Sequence, residues 1–189
     1  MTPPSKADLR RRLLQQRRAL TSREWRSRSE RLCEQLRAWP VFQDAQTLLA
    51  YFSARQEPDL SALFTLPKIW GFPVCVGADL RWYGWQPGQA LKTGAYGIAE
   101  PADLTEPLAP QTVDLILVPA LGGDRRGYRL GYGGGYYDRL LAQPEWAEIP
   151  AWGILFDLGY LEALPTDPWD RRLGGFCSES GVYNGAGFP

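Results

Sequence analysis

Histidine is absent from this sequence. That removes the commonest general base at neutral pH, every Ser-His or Cys-His dyad and every imidazole-bound metal. Chemistry here must fall to carboxylates, cations, tyrosines and backbone. Cysteine is scarce: Cys33, Cys75 and Cys177 are odd in number, far apart and outside any CxxC pair. Neither a disulfide framework nor a zinc site is indicated, and the three thiols are expected as small buried side chains. No run reaches the roughly 18 to 20 apolar residues that span a bilayer, and Met1 to Arg12 lacks the apolar core of a signal peptide. A soluble, cytoplasmic, monomeric protein without a membrane partner is expected. Net charge is also lacking, with 21 basic against 21 acidic residues.

The charge is nevertheless uneven. Residues 1 to 37 hold eleven Lys or Arg against four acids, so the front end attracts anions. A solvated pair of helices explains the same composition. With 189 residues and 44% hydrophobic content the chain suits one domain, expected over 1–183, with 184–189 as a loose tail. Eight Trp and nine Tyr exceed what a disordered segment carries, so some rings are expected to line a pocket.

Ser5 followed by Asp8, with Leu9, Leu13, Leu14 and Leu20 near helical spacing, predicts a helix from Lys6 to Leu20. Thr21 followed by Glu24 starts a second, with an apolar stripe of Trp25, Leu32, Cys33, Leu36 and Trp39 that Pro40 ends. Thr47–Ser53 reads as a short buried strand. Phe72–Val76 and Leu80–Trp85 read as further strands, and Asp103–Thr112 as an irregular connection. Val113–Val118 and Ala151–Phe156 are apolar throughout, as parallel strands covered on both faces are. Between them Tyr136–Leu141 starts a helix. The predicted fold is a single three-layer α/β/α domain with a mostly parallel central sheet.

The most informative stretch is Asp124–Asp138, DRRGYRLGYGGGYYD. Gly131, Gly133, Gly134 and Gly135 leave backbone amides bare between a buried strand and a helix, where they can approach a phosphate. Arg125, Arg126 and Arg129 add cations, and Asp138 can turn a carboxylate toward a metal ion bridging the phosphates. The loop lacks the Lys-Ser/Thr ending of a P-loop and the spacing of a dinucleotide fingerprint. Glycine clusters also occur in plain turns.

RLGYGGGYYDR, preceded by DLILVPALGGDRRG, resembles the signature region of the 5-formyltetrahydrofolate cyclo-ligases. KADLR, YFSARQE, YGIAEP and WDRRLGG resemble that family's other landmarks in the same order. The resemblance implies an architecture similar to sugar-phosphate isomerases and CoA-transferases. It also implies ATP with Mg2+ between the first helix and the glycine loop, and 5-formyltetrahydrofolate in a neighbouring cleft. Lys6 and Arg10 then resemble ATP contacts, sharing one helical face. Arg129, Leu130, Gly131, Tyr132, Gly133, Gly134, Gly135, Tyr136 and Tyr137 resemble the phosphate-binding loop. Asp138, with Asp170 as a second acid, resembles the metal position. Phe52, Glu57 and Tyr96, with the stretch from Tyr132 to Tyr136, resemble the folate side; Glu57, Arg129 and Tyr136 are the catalytic candidates.

Each residue also has a plainer explanation: Phe52 as core, Glu57 as a solvated loop acid, Tyr96 as a turn aromatic, Tyr136 and Tyr137 as packing. Gly134 stands where some members of the family place a lysine, Trp169 replaces a polar residue, and Pro58–Pro73 is short, which predicts a clipped helix. Two other classes fit parts of the sequence: a phosphate site of a sugar-phosphate isomerase or CoA-transferase-like protein, and a basic nucleic-acid-binding module. The second is disfavoured by neutral net charge and lack of a nucleic-acid motif, so no nucleic-acid partner is expected.

Overall fold

The computed structural model describes residues 4–186. Helix α1 spans Lys6–Arg18 and is capped by Ser5, whose hydroxyl accepts from the Asp8 N–H. It stops short of the expected Leu20, because its last carbonyls are already taken by the Ala19 N–H. Helix α2, Ser22–Ala38, carries the complete reciprocal box between Thr21 and Glu24. Pro40 does not merely end it but opens a short helix, α3 (Pro40–Asp44), where a missing N–H costs nothing.

Strand β1 is Thr47–Leu49, shorter than the expected Thr47–Ser53. Strands β2 (Ile69–Val76) and β3 (Asp79–Gly84) form an antiparallel pair, followed by the small pair β4 (Leu91–Thr93) and β5 (Ala99–Pro101). Then come β6 (Leu115–Pro119), β7 (Gly122–Asp124) and β8 (Arg129–Leu130). Helices α4 (Tyr136–Leu140) and α5 (Pro144–Ala147) lead to β9 (Ala151–Ile154), β10 (Tyr160–Leu161), β11 (Gly175–Ser178) and β12 (Gly181–Asn184). Between β1 and β2 the clipped helix is a single 3-10 turn, Ser61–Leu63.

The main sheet has the order β12-β11-β9-β6-β1-β2-β3. Its five inner strands run parallel to one another, and the two edge strands β12 and β3 are antiparallel to their neighbours. Successive residues of β6 face opposite ways: Leu115 and Leu117 join Leu32, Leu36 and Phe42 of α2 and α3, whereas Ile116 and Val118 join Leu140 and Trp146 of α4 and α5. Helices therefore cover both faces, and the sheet is the middle of three layers. Helix α1 docks separately, with Leu9 and Leu13 against Leu130 and Leu164.

The chain passes from β1 to β2 on one side and later to β6 on the other, so the strand order reverses between β1 and β6. Open α/β sheets bind ligands at the carboxyl ends of strands at such a reversal. The segment after β1 holds Phe52 to Glu57, and that after β6 leads to the glycine loop. The expected loose tail is held at its start: Gly185 donates to Gly174 at 2.7 Å and Ala186 to Arg125 at 2.9 Å. Its last part, 187–189, lies outside the described residues.

Candidate active site

The β7–β8 hairpin delivers the glycine loop. Its root is Asp124, fully buried, which accepts from the N–H groups of Arg126, Tyr128 and Leu164 and pairs with the Arg126 guanidinium at 2.6 Å. Arg126 is therefore committed to the hairpin, and Arg125 points to an exposed pairing with Glu162 at 3.9 Å. Of the three arginines expected at the phosphates, only Arg129 enters the site. It pairs with Asp138 at 2.9 Å and donates to the Arg171 carbonyl at 3.0 Å.

Beyond Leu130 the loop turns through Gly133 (φ +100°) and Gly135 (φ +69°), conformations in which an L side chain is strained. A Cβ on Gly135 would sit 2.7 Å from the Arg139 guanidinium. Gly135 then caps α4, and Asp138 lies in its first turn, as expected. Helix α4 has only five residues, so its dipole adds little and the loop's own amides are the main donors.

Helix α1 lies along this loop. Arg10 donates from Nε to the Gly131 carbonyl at 2.9 Å. Lys6 meets Asp167 at 2.6 Å and Asp170 at 2.5 Å. Burial alone would lower the Lys6 pKa, but its bonds to the two carboxylates outweigh that and raise it. Cations and carboxylates thus converge on one patch beside bare backbone amides, the composition a hydrated polyphosphate with its counter-ion requires.

No group of three or more acidic or thiol side chains suited to a metal occurs among the described residues. Asp138 and Asp170 are each held by a cation, Arg129 and Lys6 respectively. The pair therefore fits magnesium only as phosphates bring it, the usual mode of a hard, strongly hydrated ion.

The second half of the site centres on Glu57. It is only 4% exposed, not a solvated loop acid, and accepts from the Ala54 N–H at 3.1 Å. Burial pushes its pKa up; the Arg17 charge and the Ala54 and Tyr132 hydrogen bonds oppose this without cancelling it. Tyr132 reaches across from the glycine loop, and its hydroxyl takes a hydrogen bond from Arg17 Nη2. Two guanidinium groups lie over its ring, that of Arg17 5.6 Å and that of Arg55 5.0 Å from the centroid. Burial, reinforced by Glu57, pushes Tyr132 up to about 12.

Arg17 and Arg55 were not expected here. The signal for Arg17 was present, since it continues the buried Leu9 and Leu13 face of α1 at helical spacing and so places a charge where the core should be. Arg55 and Gln56 have φ of +50° and +56°, uncommon for non-glycine residues and beyond sequence reading.

The remaining candidates line the flank. The hydroxyls of Tyr96 and Tyr136 are 3.0 Å apart, and Tyr136 also donates to the Gly77 carbonyl. Tyr96 is exposed, with φ +60°. Tyr137 is directed inward beside Trp82 and Arg129, with its pKa raised by burial. Phe52 stacks on Phe72 at 4.0 Å and edges against Phe64 and Trp85, leaving only part of its ring for a ligand. Trp169 is exposed next to Asp170.

Residues 2–179 match the model of the 5-formyltetrahydrofolate cyclo-ligase family. A 5-formyltetrahydrofolate cyclo-ligase of Mycolicibacterium smegmatis is 32% identical, the alignment covering 92% of this chain and 93% of that protein. The Escherichia coli protein of the same name is 27% identical over 89% and 97% of the two chains. The solution structure of Aquifex aeolicus 5,10-methenyltetrahydrofolate synthetase superposes with a TM-score of 0.84 at 33% identity, covering 95% of this chain and 92% of that one.

Proposed function

The chain belongs to the 5-formyltetrahydrofolate cyclo-ligase family of enzymes, and on that premise we propose that it converts 5-formyltetrahydrofolate to 5,10-methenyltetrahydrofolate at the expense of ATP, with magnesium, releasing ADP and phosphate. The observation that carries this reading is the apposition of α1 and the glycine loop. Lys6, Arg10 and Arg129 gather beside bare amides at one end of the sheet, and Glu57, Tyr132 and Tyr136 adjoin them.

In this reading the formyl oxygen attacks the terminal phosphorus of ATP, and the bond from that phosphorus to the ADP oxygen breaks. N10 of the folate then attacks the activated formyl carbon, its proton is lost, and the carbon–oxygen bond breaks as phosphate leaves. A formamide oxygen is a weak nucleophile, so the protein contributes alignment and charge neutralisation more than acid–base chemistry. The absence of histidine is no handicap to such a reaction.

The residues divide the work. The amides of Gly131 and of Gly133 to Gly135 bind phosphate oxygens, and Lys6 and Arg129 neutralise them by exchanging their present carboxylate partners for the nucleotide. The freed Asp138 and Asp170 would hold magnesium, which supplies electrostatic stabilisation of the transferred group. Arg10 fixes the loop through the Gly131 carbonyl. Glu57 orients the folate by accepting a hydrogen bond from its pterin or N10 region. Tyr96 and Tyr136 bound the cleft on the far side, and the open part of Phe52 gives it an apolar wall.

The test is direct. Purified protein is mixed with 5-formyltetrahydrofolate, ATP and magnesium while methenyl absorbance in the near ultraviolet and ADP are followed together. Equal appearance of both, each requiring the other substrate, is expected. ADP release without folate dependence would instead indicate an unrelated phosphate-binding activity.

A further inference from the structure

The buried cation at the centre of the site has no role in the chemistry just described. Arg17 comes from α1, is 2% exposed, and is held at three points of its surroundings by unlike means. Its Nε donates to the Arg55 carbonyl at 3.1 Å and its Nη2 to the Tyr132 hydroxyl, while the Tyr132 ring covers its guanidinium face. Its Nη1 has no hydrogen-bond partner among the described residues. A buried donor left open costs about 1–3 kcal/mol, a cost that a merely structural arginine on a helix this exposed would avoid by reaching solvent.

The acid it faces is also unusual. Glu57 is buried, and its carboxylate forms no direct ion pair within 4 Å among the described residues. Its link to positive charge runs beside Tyr132, whose hydroxyl accepts from Arg17 and lies near enough to the Glu57 carboxyl for the two groups to influence each other's titration. The groups acting on Glu57 come from every neighbouring element: Arg17 from α1, Arg55 and the Ala54 N–H from its own loop, Tyr51 from the segment just after β1, Tyr132 from the glycine loop and Tyr137 from α4. Arg17 and Arg55 bring positive charge, and Arg17 is the stronger influence.

We propose that Arg17, acting through the Tyr132 hydroxyl, is a positioning residue that keeps the Glu57 carboxylate ionised and fixed toward the folate, and so sets the acid limit of turnover. The proposal rests on the cyclo-ligase reading for its effect on turnover, but not for the Arg17–Tyr132–Glu57 link itself. Tyr132 belongs to the loop that binds phosphate in that reading, so a nucleotide that reseats the loop reaches Glu57 through the same hydroxyl.

The experiment has two arms on the same proteins: wild type, Arg17→Met, Arg17→Lys and Tyr132→Phe. One arm records kcat/KM for the formyl folate against pH at saturating ATP. The other follows the Glu57 side-chain carboxyl by carbon-13 NMR, with the resonance identified by its loss in Glu57→Gln. Arg17→Met should move the acid limb and the NMR midpoint upward together, by about one pH unit. Arg17→Lys should restore most of the difference, and Tyr132→Phe should give a smaller shift in the same direction.

An unmoved Glu57 midpoint in both Arg17→Met and Tyr132→Phe would overturn the proposal, as would a displaced acid limb without a displaced midpoint. Should Arg17→Met not fold, the Tyr132→Phe midpoint decides by rising or not rising. If wild type makes no methenyl folate, the cyclo-ligase reading fails by itself, and the NMR arm still decides the link.

Discussion

Lys6 and Asp170 meet at 2.5 Å although 164 positions separate them in sequence, which ties the first turn of α1 to the loop that follows β10. Asp167 closes the same contact from the other side, and Asp170 in turn accepts from the Asp167 N–H at 2.7 Å. In the proposed reaction a lysine held by two carboxylates is pre-placed for the nucleotide, at the cost of having to exchange partners when one binds.

That exchange is measurable. Lys6→Met should raise the KM for ATP at least tenfold, about 1.4 kcal/mol of lost phosphate contact, with a much smaller change in KM for the folate. Asp167→Asn frees Lys6 from one rival and should not weaken ATP binding. Steady-state kinetics with each substrate varied in turn separates the two effects.

Two glycines are constrained by geometry as well as function. Gly133→Ala and Gly135→Ala each force an L side chain into positive φ, at a cost of about 1–3 kcal/mol. The Gly135 substitution adds a clash with Arg139. Both should lower kcat by about a hundredfold through misplaced amides, while far-ultraviolet circular dichroism stays unchanged.

Asp124 carries stability more than catalysis. It satisfies three backbone N–H groups and one guanidinium from full burial. Asp124→Ala should cost about 3–5 kcal/mol, read as a lowered midpoint in urea unfolding. A cost below about 1 kcal/mol would show that solvent replaces these bonds.

Glu57 should show the opposite balance. Its carboxyl pKa is raised in the folded protein, mainly by burial. A raised folded value means that the folded state binds the proton more tightly. The stability associated with this group is therefore fully present below the usual glutamate range and is lost as pH rises through the folded value. Above the folded value the charge destabilises the fold, so Glu57→Gln should raise the Tm on the alkaline side, with the gain fading in acid, and abolish folate turnover while ATP binding is retained. Unchanged turnover would remove Glu57 from the reaction.

Much of this was legible in the sequence, for reasons that differ by region. Thr21 and Glu24 announce α2 because capping is local, and the unbroken apolar run at β6 announces a strand covered on both sides because Ile116 and Leu117 need different layers. The glycine loop is legible because glycine adopts the positive φ of Gly133 and Gly135 with least strain. The end of β1 is not: Ala50 to Phe52 are as apolar as the strand, and only the pairing partners stop it at Leu49.

In the site, tertiary pairing decides what sequence cannot. Arg126 and Arg129 look equivalent on paper, yet a buried carboxylate two residues before Arg126 captures it, and a carboxylate in α4 holds Arg129 at the loop. Phe52 was legible as either core or ligand wall, and its stack on Phe72 gives most of it to the core. Arg17 escaped because a run of arginines reads as solvated, and only its place on the Leu9–Leu13 face distinguishes it from Arg18.

The central claim is that the backbone from Gly131 to Gly135 grips the phosphates of a nucleotide. A nitrogen-15 amide spectrum recorded during titration with magnesium and a non-hydrolysable ATP analogue tests it. The largest and saturable shifts should fall on Gly131, Gly133, Gly134 and Gly135, with Arg10 and Asp138 following at the same midpoint. Saturable shifts confined to other parts of the chain, with these four glycine amides unmoved, would contradict the account.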